Sequence, residues 1–158
     1  YTYLPRTDRV IRLTSAMMAG NWMGSHFSND DLVKESRMED DFNAKITFEG
    51  DRKGLHETDI TLIPKANAAI VWGKVIATID TRARLPKRQR YYDEDGKLVR
   101  TMTFSDVKTF GKRRAPALMR VTVADKPSEY TELRYEHLDV GNKIPDGFFS
   151  IARLKRRR

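Results

Sequence analysis

Histidine, serine, acidic and clustered basic residues are where chemistry would be expected in this sequence, and their types and spacing decide what they can do. His26, His56 and His137 stand far apart, with no His-x-His or His-Glu-x-x-His pattern, so each reads as an isolated surface or strand histidine. Ser25 lies in Gly24-Ser25-His26, which lacks the flanking glycines of a strained nucleophile turn. Gly20 and Gly24 are not followed by Lys-Ser or Lys-Thr, so no phosphate-cradling loop is formed. Glu35, Glu39, Asp40 and Asp41 form a polar run. Two carboxylates that divide acid and base roles need an apolar pocket to separate their pKa values, so this run reads as a solvated helix face and helix exit. The absence of cysteine removes thiolate nucleophiles, thiolate zinc sites and disulfides together. The expectation is a protein that is not an enzyme, with no cofactor and no metal.

Lys87-Arg88-Gln89-Arg90-Tyr91-Tyr92 places bases beside aromatics, as single-strand nucleic-acid binders do. Two-residue alternation would split the run between two faces of a strand, however, and no nucleic-acid partner is expected. The formal charge of +8, from 30 Lys and Arg against 22 Asp and Glu, still favours anionic partners such as lipid headgroups.

Four of the six methionines fall between Met17 and Met38. Within that stretch Met17, Met18, Trp22, Met23 and Phe27 are interleaved with Gly20 and Gly24, without a clean period. Methionine adapts to varied apolar shapes, and glycine breaks regular elements. The segment reads either as ordinary core cover or as a mobile lid on an apolar cavity. Ser28, with Asp31 three residues on, has the form of a capping box, and Asp30 with Lys34 forms a favourable i,i+4 pair. One short helix is predicted over Asn29–Met38.

From residue 42 the period becomes two. Ala44-Ile46-Phe48, Thr58-Ile60-Leu62, Val71-Gly73-Val75-Ala77-Ile79, Leu98-Arg100-Met102-Phe104, Ala117-Met119-Val121-Val123 and Thr131-Leu133-Tyr135-His137 each mark one face of a strand. Turn residues punctuate them at 50–54, 93–96, 111–114 and 125–128, and Asp95-Gly96 is a hairpin signal after the strand over 84–92. Short connections imply antiparallel neighbours in a meander. Tyr1–Leu13 reads as an extended opening segment interrupted by Pro5, and Phe148-Phe149 as a plug for one end of the sheet. The sequence offers one short helix and one Met/Trp-rich segment to cover the apolar face of this sheet, which points to a curved sheet with an incompletely filled interior. Its 158 residues make one domain, and no apolar run approaches the roughly 18 residues that span a bilayer.

Several stretches resemble one family. Trp22-Met23-Gly24-Ser25-His26-Phe27-Ser28-Asn29-Asp30-Asp31-Leu32 is similar to the MGSDFTxxDL stretch of the outer-membrane lipoprotein-sorting family, within the LolA/LolB-like superfamily. Tyr1-Thr2-Tyr3-Leu4-Pro5, Tyr91-Tyr92-Asp93-Glu94-Asp95-Gly96 and Ile144-Pro145-Asp146-Gly147-Phe148-Phe149-Ser150 resemble further stretches of that family, in the same order. His26 replaces the usual acid and Ser28 the usual threonine. The resemblance implies a mainly β fold with minor α, a curved antiparallel half-barrel in the periplasm of a Gram-negative bacterium. It also implies acyl-chain binding on the concave face. Family members carry a helix and strands ahead of the Tyr-Leu-Pro strand, so a fragment of a longer precursor is expected.

The combined expectation is a non-catalytic carrier, one domain over residues 1–158, that takes acyl chains of lipoproteins or free lipid toward the outer membrane. An inner-membrane transporter is an allowed partner, as is peripheral membrane contact. The expected ligand-binding residues are Met17, Met18, Trp22, Met23, Phe27, Val71, Val75, Ile79, Met102, Phe104, Met119, Val121, Leu133 and Tyr135. The alternative is a periplasmic interaction partner of a membrane exporter, with a filled sheet interior that binds nothing.

Overall fold

The structure is a computed structural model and describes every residue except 15, 16, 18, 19, 34–37, 67, 69, 140, 142, 146, 157 and 158. A small hairpin of β1 (Thr2–Leu4) and β2 (Arg9–Ile11) comes first. The opening segment is therefore two strands rather than one. Pro5 starts a four-residue turn that ends at Asp8, which takes a left-handed conformation and accepts a 3.0 Å hydrogen bond from the Tyr3 hydroxyl.

Next come a 3-10 turn (Trp22–Gly24) and two short helices, α1 (Asn29–Val33) and α2 (Met38–Asp41). The helix predicted over Asn29–Met38 is present at its start; residues 34–37, and with them the Asp30–Lys34 pair, lie outside the described residues. The capping box forms as predicted: the Asp31 amide donates to Ser28 Oγ (3.1 Å), and the Ser28 amide donates to Asp31 Oδ2 (2.8 Å).

Seven strands follow as one antiparallel meander in sequence order: β3 (Phe42–Arg52), β4 (Leu55–Pro64), β5 (Lys74–Asp80), β6 (Leu85–Tyr92), β7 (Leu98–Phe110), β8 (Arg113–Val123) and β9 (Lys126–Arg134). The sheet is curved and does not close into a barrel, so β3 and β9 are its edges. A helix, α3 (Ile151–Lys155), ends the described fold and packs against β1. The turns have the chemistry their residues specify. Lys53 and Gly54 both take positive φ (52° and 80°), the geometry that matches strand twist in a two-residue hairpin loop.

Pairing sets the faces. Ile60, Ala77, Gln89, Met102, Val121 and Thr131 lie opposite one another in successive strands, and so do Leu62, Val75, Tyr91, Arg100 and Val123. This inner face holds the core of Phe27, Phe42, Leu62, Val75, Tyr91, Met102 and Val121, with Ile60, Ile70, Trp72, Phe104, Met119 and Leu133 packed around it.

Four expectations are corrected, and β7 proves longer than the alternating run that marked it. A bulge between Ile46 and Phe48 turns Phe48 to the outer face, opposite Asp59, where the Arg52 guanidinium lies 3.4 Å from its ring centre. β5 starts only at Lys74, so alternation does not extend back to Val71, which is 66% exposed, while Trp72 packs inward. β7 runs on to Phe110, well beyond Phe104. Asp106 takes a left-handed conformation within it and so interrupts the pattern without ending the pairing. The turn expected at 125–128 is Ala124-Asp125, with β9 already paired at Lys126. Phe148 and Phe149 do not plug the sheet; they stack edge to face on each other at 5.1 Å and are exposed.

Candidate functional site

The segment between Gly20 and Asn29 is a closed loop laid over the inner face. Asn21 and Ser28 form a β-bridge, the Trp22 amide donates to the Phe27 carbonyl (2.7 Å), and the Asn29 amide donates to the Gly20 carbonyl (3.0 Å). Phe27, 2% exposed, points from this loop into the centre of the core. His26 ties the loop to edge strand β9: its amide donates to Thr131 Oγ1 (3.1 Å), and its Nδ1 lies 2.8 Å from the same oxygen.

The strongest tie is ionic. The Arg100 guanidinium donates to both Asp31 carboxylate oxygens, at 2.6 and 2.7 Å. Arg100 is 5% exposed and lies over the rings of Tyr91 (4.2 Å) and Trp72 (4.8 Å), which face each other at 5.1 Å. Alternation dictates this placement, since Arg100 shares the inner face with Met102. An arginine there must find a carboxylate, because a buried unpaired charge costs several kcal/mol, of order 3–5. Burial pushes the Asp31 carboxyl up. The Arg100 hydrogen bonds and charge, with the Ser28 amide and hydroxyl, outweigh it and hold the group below its ordinary value. Burial also raises the Tyr91 hydroxyl above its usual range; that hydroxyl donates to Gln89 Oε1 at 2.6 Å.

Beyond the reach of this loop the inner face is open. A pocket of about 170 Å3 lies there, lined mainly by Ile60, Leu62, Ala77, Ile79 and Pro86, and bounded by Thr78, Arg88 and Gln89. It sits at the irregularity between Thr78 and Ile79, where β5 slips against β6 and the strands part from strict pairing.

The outer face behind the pocket carries a cluster that sequence reasoning missed. Asp59, 5% exposed, accepts from Thr78 Oγ1 (2.6 Å), Arg52 (2.8 Å) and Arg90 (3.4 Å), and Arg88 reaches Glu57 at 3.1 Å. Burial raises the Asp59 carboxyl, but the Thr78 bond and the Arg52 and Arg90 charges bring it below its ordinary value. The available signal was Glu57-x-Asp59 on one parity of β4 and Arg88-x-Arg90 on one parity of β6.

The predicted site residues are spread over the core, its margin, the pocket and the surface. Val75, Met102 and Val121 are in the core, Phe104, Met119 and Leu133 pack around it, and Ile79 lines the pocket. Tyr135 follows β9, half-buried, with its amide donating to the Ala117 carbonyl (2.8 Å). The lid residues do not act as one surface. Phe27 is core, Met17 and Trp22 are exposed, Met23 is 84% exposed, and Met18 lies outside the described residues. Among the described residues no three His, Asp or Glu side chains come together to hold a metal ion, and no helix is long and apolar enough to cross a membrane.

An open, curved antiparallel sheet with a helical segment across its inner face is the LolA-like fold. A family model described as "-like: Uncharacterized protein" matches residues 1–156, and the chain belongs to that family. Solved structures agree on the fold. A domain described as an outer membrane lipoprotein-sorting protein from Vibrio parahaemolyticus superimposes with a TM-score of 0.84 at 24% identity, covering 98% of this chain and 64% of its own. A DUF1329 family protein from Desulfovibrio piger gives 0.82 at 22% identity, covering 96% of this chain and 62% of its own. A LolA superfamily protein from Nitrosomonas europaea gives 0.76 at 16% identity, covering 96% and 66%. This chain thus spans somewhat under two thirds of the length of each. No curated protein sequence matches it.

Proposed function

We propose that the protein is a non-catalytic carrier of acyl chains, from lipoproteins or free lipid, working in the periplasm. The observation that carries this reading is the apolar pocket of about 170 Å3 on the inner face. An apolar cavity of about 150 Å3 admits a benzene-sized group, so this one takes roughly six carbons of a chain. At about 0.8 kcal/mol per buried methylene, six carbons yield on the order of 5 kcal/mol gross, before association costs. Arg88 borders the pocket, with its guanidinium paired to Glu57 on the outer face.

A longer chain needs the place now held by Phe27. In this reading the loop carrying Trp22, Met23 and Phe27 is a gate, and Phe27 is the part that must withdraw. Val75, Met102, Phe104, Met119, Val121 and Leu133 then line the enlarged site, with Val71 and Tyr135 at its margin. Removing a buried Phe costs about 3–5 kcal/mol, which another six methylenes would offset at the same yield. Near balance suits a carrier, which must also release its cargo to an acceptor.

The test is extraction of the purified protein with organic solvent and mass spectrometry of the extract, followed by titration with fatty acids of increasing length. Recovery of lipid, and binding reported by Trp72 emission, support the carrier. A protein that yields no lipid and binds no acyl chain is the alternative, an interaction partner of a membrane exporter, which the filled row from Phe42 to Val121 favours.

A further inference from the structure

A second surface has the composition of a membrane-docking face. Helix α3 packs against β1, the first strand of the β1–β2 hairpin. The hairpin, the helix and the residues leading into it expose Tyr1, Leu4, Ile144, Phe148, Phe149 and Ile151, with Phe149 84% exposed. Exposed apolar side chains gathered in one place mark an interaction site more reliably than the same residues scattered singly. Here they are held in position rather than merely left over. Phe148 and Phe149 stack edge to face, the Arg153 guanidinium sits 4.1 Å above the Phe148 ring, and Ser150 Oγ accepts from the Arg153 amide to start α3.

Positive charge predominates around them. From Ile144 to Arg156 the chain carries Arg153, Lys155 and Arg156 against Asp146 alone. In Tyr1–Leu13 it carries Arg6, Arg9 and Arg12 against Asp8 alone, and Asp8 is engaged by Tyr3. All six basic residues are exposed. Projecting aromatics within a basic surround are complementary to an anionic bilayer surface, with rings entering the headgroup–acyl boundary and cations pairing with phosphates. A protein partner would have to be strongly acidic and at the same time apolar at its centre. An anionic membrane supplies both properties without further assumption.

We infer that the β1–β2 hairpin and α3 form a docking surface for anionic phospholipid membranes, with Phe148 and Phe149 as the inserting residues and Lys155 and Arg156 among the headgroup contacts. The inference is independent of the carrier reading, because this surface shares no residue with the inner-face pocket.

The experiment is vesicle co-sedimentation of the full chain. Vesicles of phosphatidylcholine alone are compared with vesicles containing one third phosphatidylglycerol. The expected result is binding to the anionic vesicles that falls as salt screens the charges, with little binding to neutral ones. Lys155→Gln with Arg156→Gln should weaken it about 25-fold, at roughly fivefold per cation near the surface. Phe148→Ser with Phe149→Ser should weaken it by roughly tenfold per ring. Lys45→Gln, an exposed cation on edge strand β3, should leave binding unchanged. Circular dichroism melts of each variant verify that the fold is retained. Absence of binding to anionic vesicles at low salt overturns the proposal, as does binding that neither double replacement weakens. It is also overturned if the protein is a dimer whose dissociation by Phe148→Ser and Phe149→Ser shows the patch to be a self-association face. Fatty-acid binding by the same variants, measured without vesicles, reads the carrier function separately.

Discussion

The Asp31 carboxylate joins two levels of the structure, because the same Oδ2 atom accepts both the Ser28 amide at 2.8 Å and the Arg100 guanidinium at 2.7 Å. The first bond starts α1; the second fixes that helix start to the beginning of β7. Local capping and long-range docking therefore depend on one side chain. Replacing Arg100 by Met should destabilise the protein by about 3–5 kcal/mol, since it leaves a buried carboxylate uncompensated. Adding Asp31→Asn should restore much of that loss. A double-mutant cycle in urea checks this, and additive losses would show that the two residues are not coupled.

The loop residues Phe27 and Met23 should behave oppositely although only four positions apart. Phe27→Ala should cost about 3–5 kcal/mol, as a buried aromatic with its cavity. Met23→Ser should change stability by no more than about 0.5 kcal/mol, as a surface substitution. Thermal melts of the two variants decide it. If Met23→Ser proves as costly as Phe27→Ala, the outward placement of Met23 is wrong.

The acid limb of stability should report Asp31 and Asp59. Both carboxyls are held below their ordinary value in the folded protein. Their contribution is therefore complete above the unfolded-state pKa of about 3.9 and is lost as pH falls through the lower folded-state values. Melting temperature measured from pH 6 to pH 2 should fall at the acid end. In Asp31→Asn it should start lower at pH 6 and fall less steeply. An unchanged slope in that variant would assign the acid sensitivity elsewhere.

Gly73 is required for close approach rather than for a left-handed backbone. A Cβ at this position would lie 2.3 Å from the Asp93 carbonyl oxygen, and the Gly73 amide donates to the Tyr92 carbonyl at 3.0 Å. Gly73→Ala should force the entry to β5 away from the β6–β7 turn and cost more than 1 kcal/mol. The same change at Gly54, where no atom lies within 4 Å but φ is +80°, should cost about 1 kcal/mol from backbone strain alone. Comparing their urea midpoints separates contact from conformation.

The meander was legible in the sequence because period-two alternation and turn residues act locally. Val75, Met102, Val121 and Leu133 are inward for that reason, and Ser28 caps a helix because its partner lies three residues away. Phe48 and Val71 were misplaced because a bulge and a late strand start change parity, and neither leaves a mark in the pattern of residue types. Which loop residue enters the core was also beyond the sequence: Phe27 rather than Met23 is buried because the Asn21–Ser28 bridge and the Arg100–Asp31 pair fix the orientation of the loop. The outer cluster of Arg52, Asp59, Thr78 and Arg90 exists only once four strands, β3 to β6, lie side by side. Local periodicity determined which faces the strands present. Only the tertiary structure decided what covers them, because that depends on contacts between residues as distant in sequence as His26 and Thr131, which no local pattern encodes.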